Sequence, residues 1–363
     1  MLHVGLDVHE RSSAVCILDE NGKKVKEHSV RGHPRRVITW LRRHIDTPFQ
    51  ICFEASTSYG YLYDELRRIA HRVVVAHPGR LRLIFRSRRK NDRVDAAKLA
   101  KLLYLDALPA VYVPSAEIRS WRGMIEHRHR CVRSRTRCKL TIRALLRTHG
   151  VETLGRRRLW SKRGRAWLES VELPDEISWL RLEGLLADLD HFDARIGRLE
   201  SILERIAEKH PAVALLRTIA GVGIRTAEAF VAYVDNPDRF RRSKSIGCYL
   251  GLIPRQDASS DTNRLGHITK EGPGTVRQML AEASWQAIRR SPTVRAFFER
   301  IAQGRKDRRK IALVATAHYL AGLAGGSDDH GLTEPVLTDG APRRTSLMPT
   351  VAEALCLLRT PSE

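Results

Sequence analysis

The sequence has no pattern typical of a zinc finger, a disulfide-bonded secreted domain or a membrane span. Its six cysteines never occur as a C-x-x-C pair, so neither a cysteine-based zinc site nor a disulfide framework is expected. No apolar run reaches the roughly 18 residues of a transmembrane helix, and the chain opens in a strand-like pattern rather than a signal peptide. These absences predict a protein of the reducing cytoplasm.

Acidic residues are scarce relative to basic ones. Lys and Arg number 64 against 41 for Asp and Glu, which gives a net charge of +23 and a sequence pI near 10.4. A folded chain with this imbalance repels itself unless a polyanion neutralises it, which favours nucleic acid as the partner. Ribosomal proteins and membrane-surface proteins share the bias, so charge alone does not identify the function. The 363 residues, 42% of them hydrophobic, suffice for two or three compact domains.

Residues 1–110 alternate between strand and helix patterns. Strands are predicted at 3–8, 13–18, 24–30, 49–53 and 72–76, and helices at 35–44, 59–70 and 92–105. Three early antiparallel strands followed by alternating helix and strand are typical of an RNase H-like (RuvC-like) α/β domain. In that fold the first and fourth strands are neighbours.

The rest of the chain is predicted to be mainly helical. Residues 111–210 form an arginine-rich region with two long helices, at about 115–150 and 182–209. The apolar stripe of the second helix suits a coiled-coil seam or a helical hairpin. Residues 211–322 form an α-helical domain, and 323–363 a loosely ordered tail.

Acidic residues stand at the ends of the predicted strands and at the start of a helix. Asp7 ends the first strand and Glu54 the fourth, while Asp92 and Asp95 lie three apart on one face of the helix at 92–105. Each alone is compatible with a turn residue or a helix cap. Together they offer hard oxygen donors suited to Mg²⁺, and two ions roughly 4 Å apart can drive phosphodiester chemistry.

Basic residues accompany this acidic set in two places. One run directly precedes Asp92, and a path for a polyanion beside the metal explains it better than a merely solvated face does. The run comprises Arg80, Arg82, Arg86, Arg88, Arg89 and Lys90, of which the last four are expected to bind nucleic acid. The predicted helix at 115–150 carries many arginines opposed by few acids; those expected to bind nucleic acid are Arg130, Arg133 and Arg137.

The C-terminal region contains a glycine turn and a serine pair. Gly221 and Gly223 flank a valine between two predicted helices, as in a helix-hairpin-helix whose backbone amides approach a phosphate; a plain glycine turn is the alternative. Ser259 and Ser260 stand in a predicted polar loop near cations that include Arg255 and Lys270. A hydroxyl there is a candidate nucleophile, although most loop serines have no such role.

These segments together resemble one family of insertion-sequence transposases. The N-terminal match consists of Gly-Leu-Asp-Val-His at 5–9, Phe-Glu-Ala-Ser at 53–56 and Lys-Asn-Asp-Arg-Val-Asp-Ala at 90–96. It resembles the family's RuvC-like domain with an Asp-Glu-Asp-Asp tetrad. The segment 216–280, with Gly-Leu-Ile-Pro at 251–254 and Thr-Lys-Glu-Gly at 269–272, resembles the family's C-terminal serine transposase domain.

The resemblance implies a DNA recombinase that cuts and rejoins strands. It implies a divalent-metal site, with Mg²⁺ as the expected cofactor, at Asp7, Glu54, Asp92 and Asp95, and a nucleophile that is here best matched by Ser260. It further implies DNA partners (element ends and target), a structured guide RNA held by the arginine-rich helix, and a homodimer or homotetramer associated with the prokaryotic nucleoid.

Two alternatives remain open from the sequence. A RuvC-type nuclease, such as a junction resolvase, would use water and never the serine. An inactive nucleic-acid-binding remnant is the other, because Asp261 replaces the glycine that usually follows the family's serine. This acid also leaves the choice between Ser259 and Ser260 open.

Overall fold

The computed structural model describes residues 1–84, 92–153, 155, 158–242, 244–259 and 262–324. The chain separates into two compact units, Met1–Arg119 and Ser120–Glu363. Residues 86–90 of the basic run, Ser260 and the tail from 325 lie outside the described residues. Within the described part, no helix is both long enough and apolar enough to cross a membrane.

The first unit is built on a five-stranded sheet in the order β3-β2-β1-β4-β5. Its strands are β1 (Leu2–Val8), β2 (Ser12–Leu18), β3 (Lys24–Arg31), β4 (Phe49–Glu54) and β5 (Arg72–Ala76). The first three are antiparallel, whereas β4 runs parallel to β1 and β5 parallel to β4. The predicted strand pattern and the adjacency of the first and fourth strands are confirmed, and the architecture is consistent with an RNase H-like fold.

Helices cover both faces of this sheet. They are α1 (Arg35–His44), α2 (Tyr59–Leu66), α3 (Pro78–Ile84) and α4 (Asp92–Tyr104). Side chains alternate between the faces along each strand. Leu6 and Phe53 therefore pack with α1 and α2 in the main core, while Cys52, one position away, donates its thiol to the carbonyl of Leu99 in α4.

The second unit begins with two long antiparallel helices. Its helices to residue 207 are α5 (Ala116–Thr148, which starts in the first unit), α6 (Lys162–Ser170) and α7 (Glu176–Ala207), with a 3-10 turn at Arg158–Trp160. The helix predicted at 182–209 begins six residues earlier, where the side chain of Asp175 caps it by accepting from the amide of Ser178.

The apolar stripe of α7 packs on α5 of the same chain. Arg128 pairs with Glu200, and Arg135 with Asp193, so sequence numbers rise along one helix as they fall along the other. The stripe is buried at intervals of seven, at Leu182, Leu189, Ile196 and Leu203. Cys131 and Cys138 lie in the same seam, which confirms that they are packing residues. The apolar stripe of α7 is thus covered by α5 of the same chain, as in a helical hairpin.

Within its described residues, the C-terminal part is helical except for one hairpin, which the sequence pattern did not predict. The helices are α8 (Pro211–Leu216), α9 (Ile224–Val234), α10 (Lys244–Tyr249), α11 (Gly274–Arg290), α12 (Pro292–Ala302) and α13 (Arg309–Ala324), with a 3-10 turn at Pro237–Arg239. Strands β6 (Pro254–Ser259) and β7 (Thr262–Ile268) pair antiparallel where a loop was expected. They are polar and mostly exposed, so they lack the alternating apolar pattern by which strands are recognised.

Candidate active site

The sheet directs Asp7 and Glu54 to the same face. Phe53 pairs with Leu6 in the parallel β1–β4 ladder, so Glu54 and Asp7 occupy the next position on neighbouring strands. Because Leu6 and Phe53 face α1 and α2, their successors face the opposite side, toward α4. The predicted convergence of these two acids at one edge of the sheet follows from this register.

A glycine in β1 lets α4 come close enough to complete the site. A Cβ at Gly5 would lie 2.1 Å from the carbonyl oxygen of Ala96 and 2.5 Å from the amide nitrogen of Ala100. Only hydrogen therefore fits between strand and helix. Asp92 stands one turn before Ala96 on the same helix face, and Asp95 directly precedes Ala96, so the close approach carries both acids toward the end of β1.

Asp7, His9 and Asp92 form a compact cluster. The Nε2 atom of His9 lies 3.3 Å from Oδ2 of Asp7 and 3.5 Å from Oδ1 of Asp92. One ligand atom from each of the three residues lies within 4.8 Å of the others. Among the described residues, this is the only group of three or more histidine, cysteine or acidic side chains with the spacing of a metal site.

The charges of this cluster are poorly compensated by the protein itself. Burial raises the pKa of Asp7 above its ordinary value, and the negative charges of Asp92 and Asp95 raise it further, while His9 acts in the opposite direction. Carboxylates that repel one another at the end of a strand fit a divalent cation, which would supply the missing positive charge. Carboxylate oxygens such as those of Asp7 and Asp92 are ligands that suit Mg²⁺ or Mn²⁺, whereas imidazole is a more usual ligand of zinc or iron.

The other two predicted acids stand beside the cluster rather than in it. Asp95 accepts a hydrogen bond from Nζ of Lys98 at 3.1 Å, one turn along α4. Glu54 is exposed at the end of β4 and is not among the residues within 4.8 Å of one another. Asp95 is nevertheless close enough for its charge to raise the pKa of Asp7.

His9 is the member of the cluster to which the sequence assigned no role. It follows β1 and stands two residues after Asp7, and this spacing returns a side chain to the same face of an extended chain. An Asp-x-His pattern at a strand end was the available signal. A histidine two residues from a carboxylate is common in proteins, so the pattern became informative only once Asp92 was seen on its other side.

The arginines of α5 fall into two groups. Arg119, Arg122, Arg128 and Arg135 bind acceptors within their own units, such as Asp64, the carbonyls of 232 and 233, Glu200 and Asp193. The three that were expected to bind nucleic acid, Arg130, Arg133 and Arg137, are instead exposed. They recur at intervals of three and four and therefore share one face of the helix.

The two glycines of the expected helix-hairpin-helix differ in their surroundings. Gly221 has a φ of +87°, and a Cβ there would lie 2.4 Å from the amide nitrogen of Ala287 in α11. Its lack of a side chain therefore permits the turn and its packing on α11. Gly223 directly precedes α9, and a Cβ there would meet no atom within 4 Å. The backbone at Gly223 is therefore accessible to a ligand.

The β6–β7 hairpin is held at its base by two turns that pack against each other, one before β6 and one after β7. A Cβ at Gly251 would lie 2.2 Å from the carbonyl oxygen of Glu271, and one at Gly272 2.0 Å from that of Tyr249. Arg277 donates to the carbonyls of 250, 271 and 272. Arg255 and Lys270, both predicted phosphate contacts, are exposed on this hairpin and beside it.

Two family models match the chain, and both describe transposases. The DEDD transposase model of IS110 matches residues 4–150, which contain the acidic cluster and α5. The model of the IS116/IS110/IS902 transposase family matches residues 213–299, which contain the glycine turn and the β6–β7 hairpin. The chain belongs to the IS110/IS116 family of transposases.

Curated relatives agree with this family assignment. A Pseudomonas aeruginosa protein named "Probable family 20 transposase" is 28% identical over 323 residues, covering 86% of this chain and 88% of its own. The transposase for insertion sequence element IS1111A of Coxiella burnetii is 25% identical over 288 residues, covering 79% of this chain and 78% of its own. The similarity to IS110/IS116 transposases thus extends along most of the chain.

Proposed function

We propose that this transposase moves an insertion sequence by metal-dependent cleavage and rejoining of DNA strands. The observation that carries the proposal is the convergence of Asp7, His9 and Asp92 within 4.8 Å at the end of β1, in a chain with a net charge of +23. A concentration of negative charge in a strongly basic protein suits a cation site surrounded by a polyanion-binding surface.

The tetrad Asp7, Glu54, Asp92 and Asp95 would hold the divalent ions, with Mg²⁺ the expected species. Bound there, the metal would supply Lewis-acid stabilisation of the attacking and leaving oxygens. His9 contacts two of the four carboxylates and fixes their orientation. Lys98 holds Asp95 in place until a cation competes for that carboxylate.

Ser260 is the proposed nucleophile. Its hydroxyl oxygen would attack a DNA phosphorus, forming a phosphoserine bond as the bond to one deoxyribose oxygen breaks and that oxygen takes a proton. A DNA hydroxyl then attacks the same phosphorus and releases the serine, so the number of phosphodiester bonds does not change. Arg255 and Lys270 would neutralise the phosphate during both steps.

The proposed partners are DNA element ends and target, a structured guide RNA, and further copies of the chain in a dimer or tetramer. Arg130, Arg133 and Arg137 form the proposed RNA-contacting face, because they are exposed while their neighbours on α5 bind protein acceptors. Gly223 is the proposed backbone contact at the glycine turn, with Gly221 supporting it.

The acidic tetrad is tested by cleavage of an element-end substrate in Mg²⁺. Asp7→Asn and Glu54→Gln are each expected to reduce cleavage at least about 100-fold while DNA affinity changes only a few-fold, because each removes a metal ligand without changing the bulk of the basic surface. Asp106→Asn is the control, since that acid pairs with Arg72 at the other end of the sheet. Full activity in either tetrad variant would refute the assignment.

The serine is tested by trapping a protein–DNA adduct on denaturing gels. Ser260→Ala should abolish the adduct and Ser259→Ala should retain it. Recombination by both single variants and by the double variant would instead establish the nuclease mechanism that uses water. DNA binding without Mg²⁺-dependent cleavage or adduct would identify an inactive remnant.

A further inference from the structure

A cleft lined by several side chains with hydrogen-bond donors lies in the first unit, apart from the acidic cluster. It has a volume of about 720 Å³ and is lined by His33, Arg35, Arg36, Ser58 and Tyr61. Among the described residues that line it, none carries a carboxylate. A cleft of this size admits a small portion of a polymeric ligand, such as one or two nucleotides.

After the hydrogen bonds within the cleft are formed, its side chains still have N–H and O–H groups that can donate to a ligand. Nε of Arg35 donates to the hydroxyl of Tyr61 at 3.2 Å, so the phenolic proton of Tyr61 remains available to a ligand. The backbone amide of Arg35 donates to Nδ1 of His33 at 3.2 Å, which leaves the proton of the neutral imidazole on Nε2. Arg36, whose Nη1 donates to the carbonyl of 31 at 3.5 Å, adds a second guanidinium. Such a lining matches an anion with several acceptor oxygens.

The cleft opens at the edge of the sheet where the acidic cluster lies. Arg35 begins α1, which follows the end of β3, and Ser58 precedes α2, which follows the end of β4. The N-termini of both helices therefore face the cleft, and their positive ends favour an anion. Because α1 and α2 pack on the sheet face opposite to α4, the cleft and the cluster lie on opposite faces of the sheet at the same edge.

We propose that this donor cleft binds the phosphodiester backbone of the DNA strand whose scissile phosphate enters the acidic cluster. The proposal rests on the proposed function, since it names a subsite for the same substrate. A strand that crosses the end of β4 would meet donors on one side and carboxylates on the other. Its backbone would thereby be fixed one or two nucleotides from the reacting phosphate.

The experiment maps where a DNA strand contacts the full-length protein without any catalysis. A single-stranded 12-mer of DNA containing 5-iodouracil is photocrosslinked in EDTA, and the modified peptides are identified by mass spectrometry. The proposal predicts a crosslink in the peptide that contains Tyr61. Arg35→Ala should reduce that crosslink about five- to tenfold and should lower the slope of log affinity against log salt by about 0.7, the value for one phosphate contact on a single strand.

Arg43→Ala is the matched control. This exposed arginine lies in the last turn of the same helix, about 12 Å from Arg35 along the helix axis, and its loss removes the same charge. It should leave both the crosslink and the salt slope within experimental error. Tyr61→Phe provides a milder variant that retains the ring, and it should weaken the crosslink only a few-fold.

Three outcomes would overturn the proposal: crosslinks confined to other peptides, equal effects of the Arg35 and Arg43 variants, or a crosslink formed only with an RNA 12-mer of the same sequence. Since EDTA prevents cleavage, a crosslink at Tyr61 would support the cleft even if the serine mechanism failed. Conversely, active wild-type enzyme without this crosslink would reject the cleft alone.

Discussion

Asp7 occupies a position where a neutral residue would be more favourable for folding alone. Its side chain is only 15% exposed, and both its burial and the neighbouring carboxylates of Asp92 and Asp95 raise its pKa. The folded-state pKa lies above the unfolded value, so ionisation of Asp7 destabilises the metal-free fold once the pH rises through the raised pKa. This opposition between folding and ion binding is expected at a metal centre.

The variant Asp7→Asn should therefore be more thermostable than the wild type in EDTA at neutral pH. We expect a gain of about 1 kcal/mol, or roughly 2–4 °C in Tm, because the repulsion disappears while the shape of the side chain is kept. Added Mg²⁺ should raise the Tm of the wild type and have a smaller effect on the variant. Differential scanning calorimetry measures both, and a lower Tm for the variant in EDTA would contradict the account.

Glu228 is a second strained carboxylate, within the second unit. It is fully buried in α9, and Nη1 of Arg225 lies 3.2 Å from its Oε1. Burial raises the pKa of Glu228 to about 7 in spite of Arg225 and Arg128, and nearby Glu200 and Glu204 raise it as well. The folded protein thus retains a proton that the unfolded chain releases near pH 4.5, and stability falls as the pH rises from there through about 7.

Glu228→Gln should remove this pH dependence. At pH 8 the variant is expected to be more stable than the wild type by on the order of 2–3 kcal/mol, and at pH 5 the two should be nearly equal. Urea unfolding at both pH values gives the comparison. Glu299→Gln serves as the control, since that acid is exposed on α12 and is not among the charges that act on Glu228; its loss should not flatten the pH profile. An unchanged pH profile in Glu228→Gln would show that Glu228 is already ionised in the folded state.

At the scale of elements, α5 serves both as a structural helix and as a charged surface. Arg128 and Arg135 pair with acids of α7, whereas Arg130, Arg133 and Arg137 on the other side are exposed. The buried face of α5 packs along α7. Its exposed face takes no part in that packing, so its charge is available for a polyanion.

Replacing Arg130, Arg133 and Arg137 together by Gln should weaken nucleic-acid binding at least about tenfold at physiological salt. The salt slope should fall by roughly two, as three phosphate contacts on a single strand would require. The matched control replaces Arg181, Arg195 and Arg198, which are exposed on α7, and removes the same charge. Equal losses in the two triple variants would mean that net charge, rather than this face, determines affinity.

At the scale of the whole molecule, the proposed mechanism needs residues from both matched regions of the chain. If the tetrad of one subunit acts with the serine of another, equal amounts of Asp7→Asn and Ser260→Ala should restore activity that neither has alone. Random pairing would leave about a quarter of the composite sites intact. Adduct formation after co-refolding measures this, and continued inactivity would favour sites completed within one subunit.

The sequence by itself determined the strands of the first unit, the adjacency of β1 and β4 and the family, and it proposed the four acids as metal ligands. Alternating strands, a short hairpin turn and acids at strand ends are local signals, and each can be recognised from neighbours a few residues away. The polar β6–β7 hairpin was missed for the same reason: without a buried face it leaves no periodic apolar pattern. The helix that begins at Glu176 was placed too late because its first turn is mostly exposed.

Only the tertiary structure decided which of the candidate residues meet. His9 joins Asp7 and Asp92 because Gly5 admits α4 against β1, a contact between segments about ninety residues apart. Which arginines of α5 remain exposed depends on where α7 packs, and the donor cleft depends on two helices that begin at the same edge of the sheet. Such features arise from long-range packing, which the periodicity of a single segment does not encode.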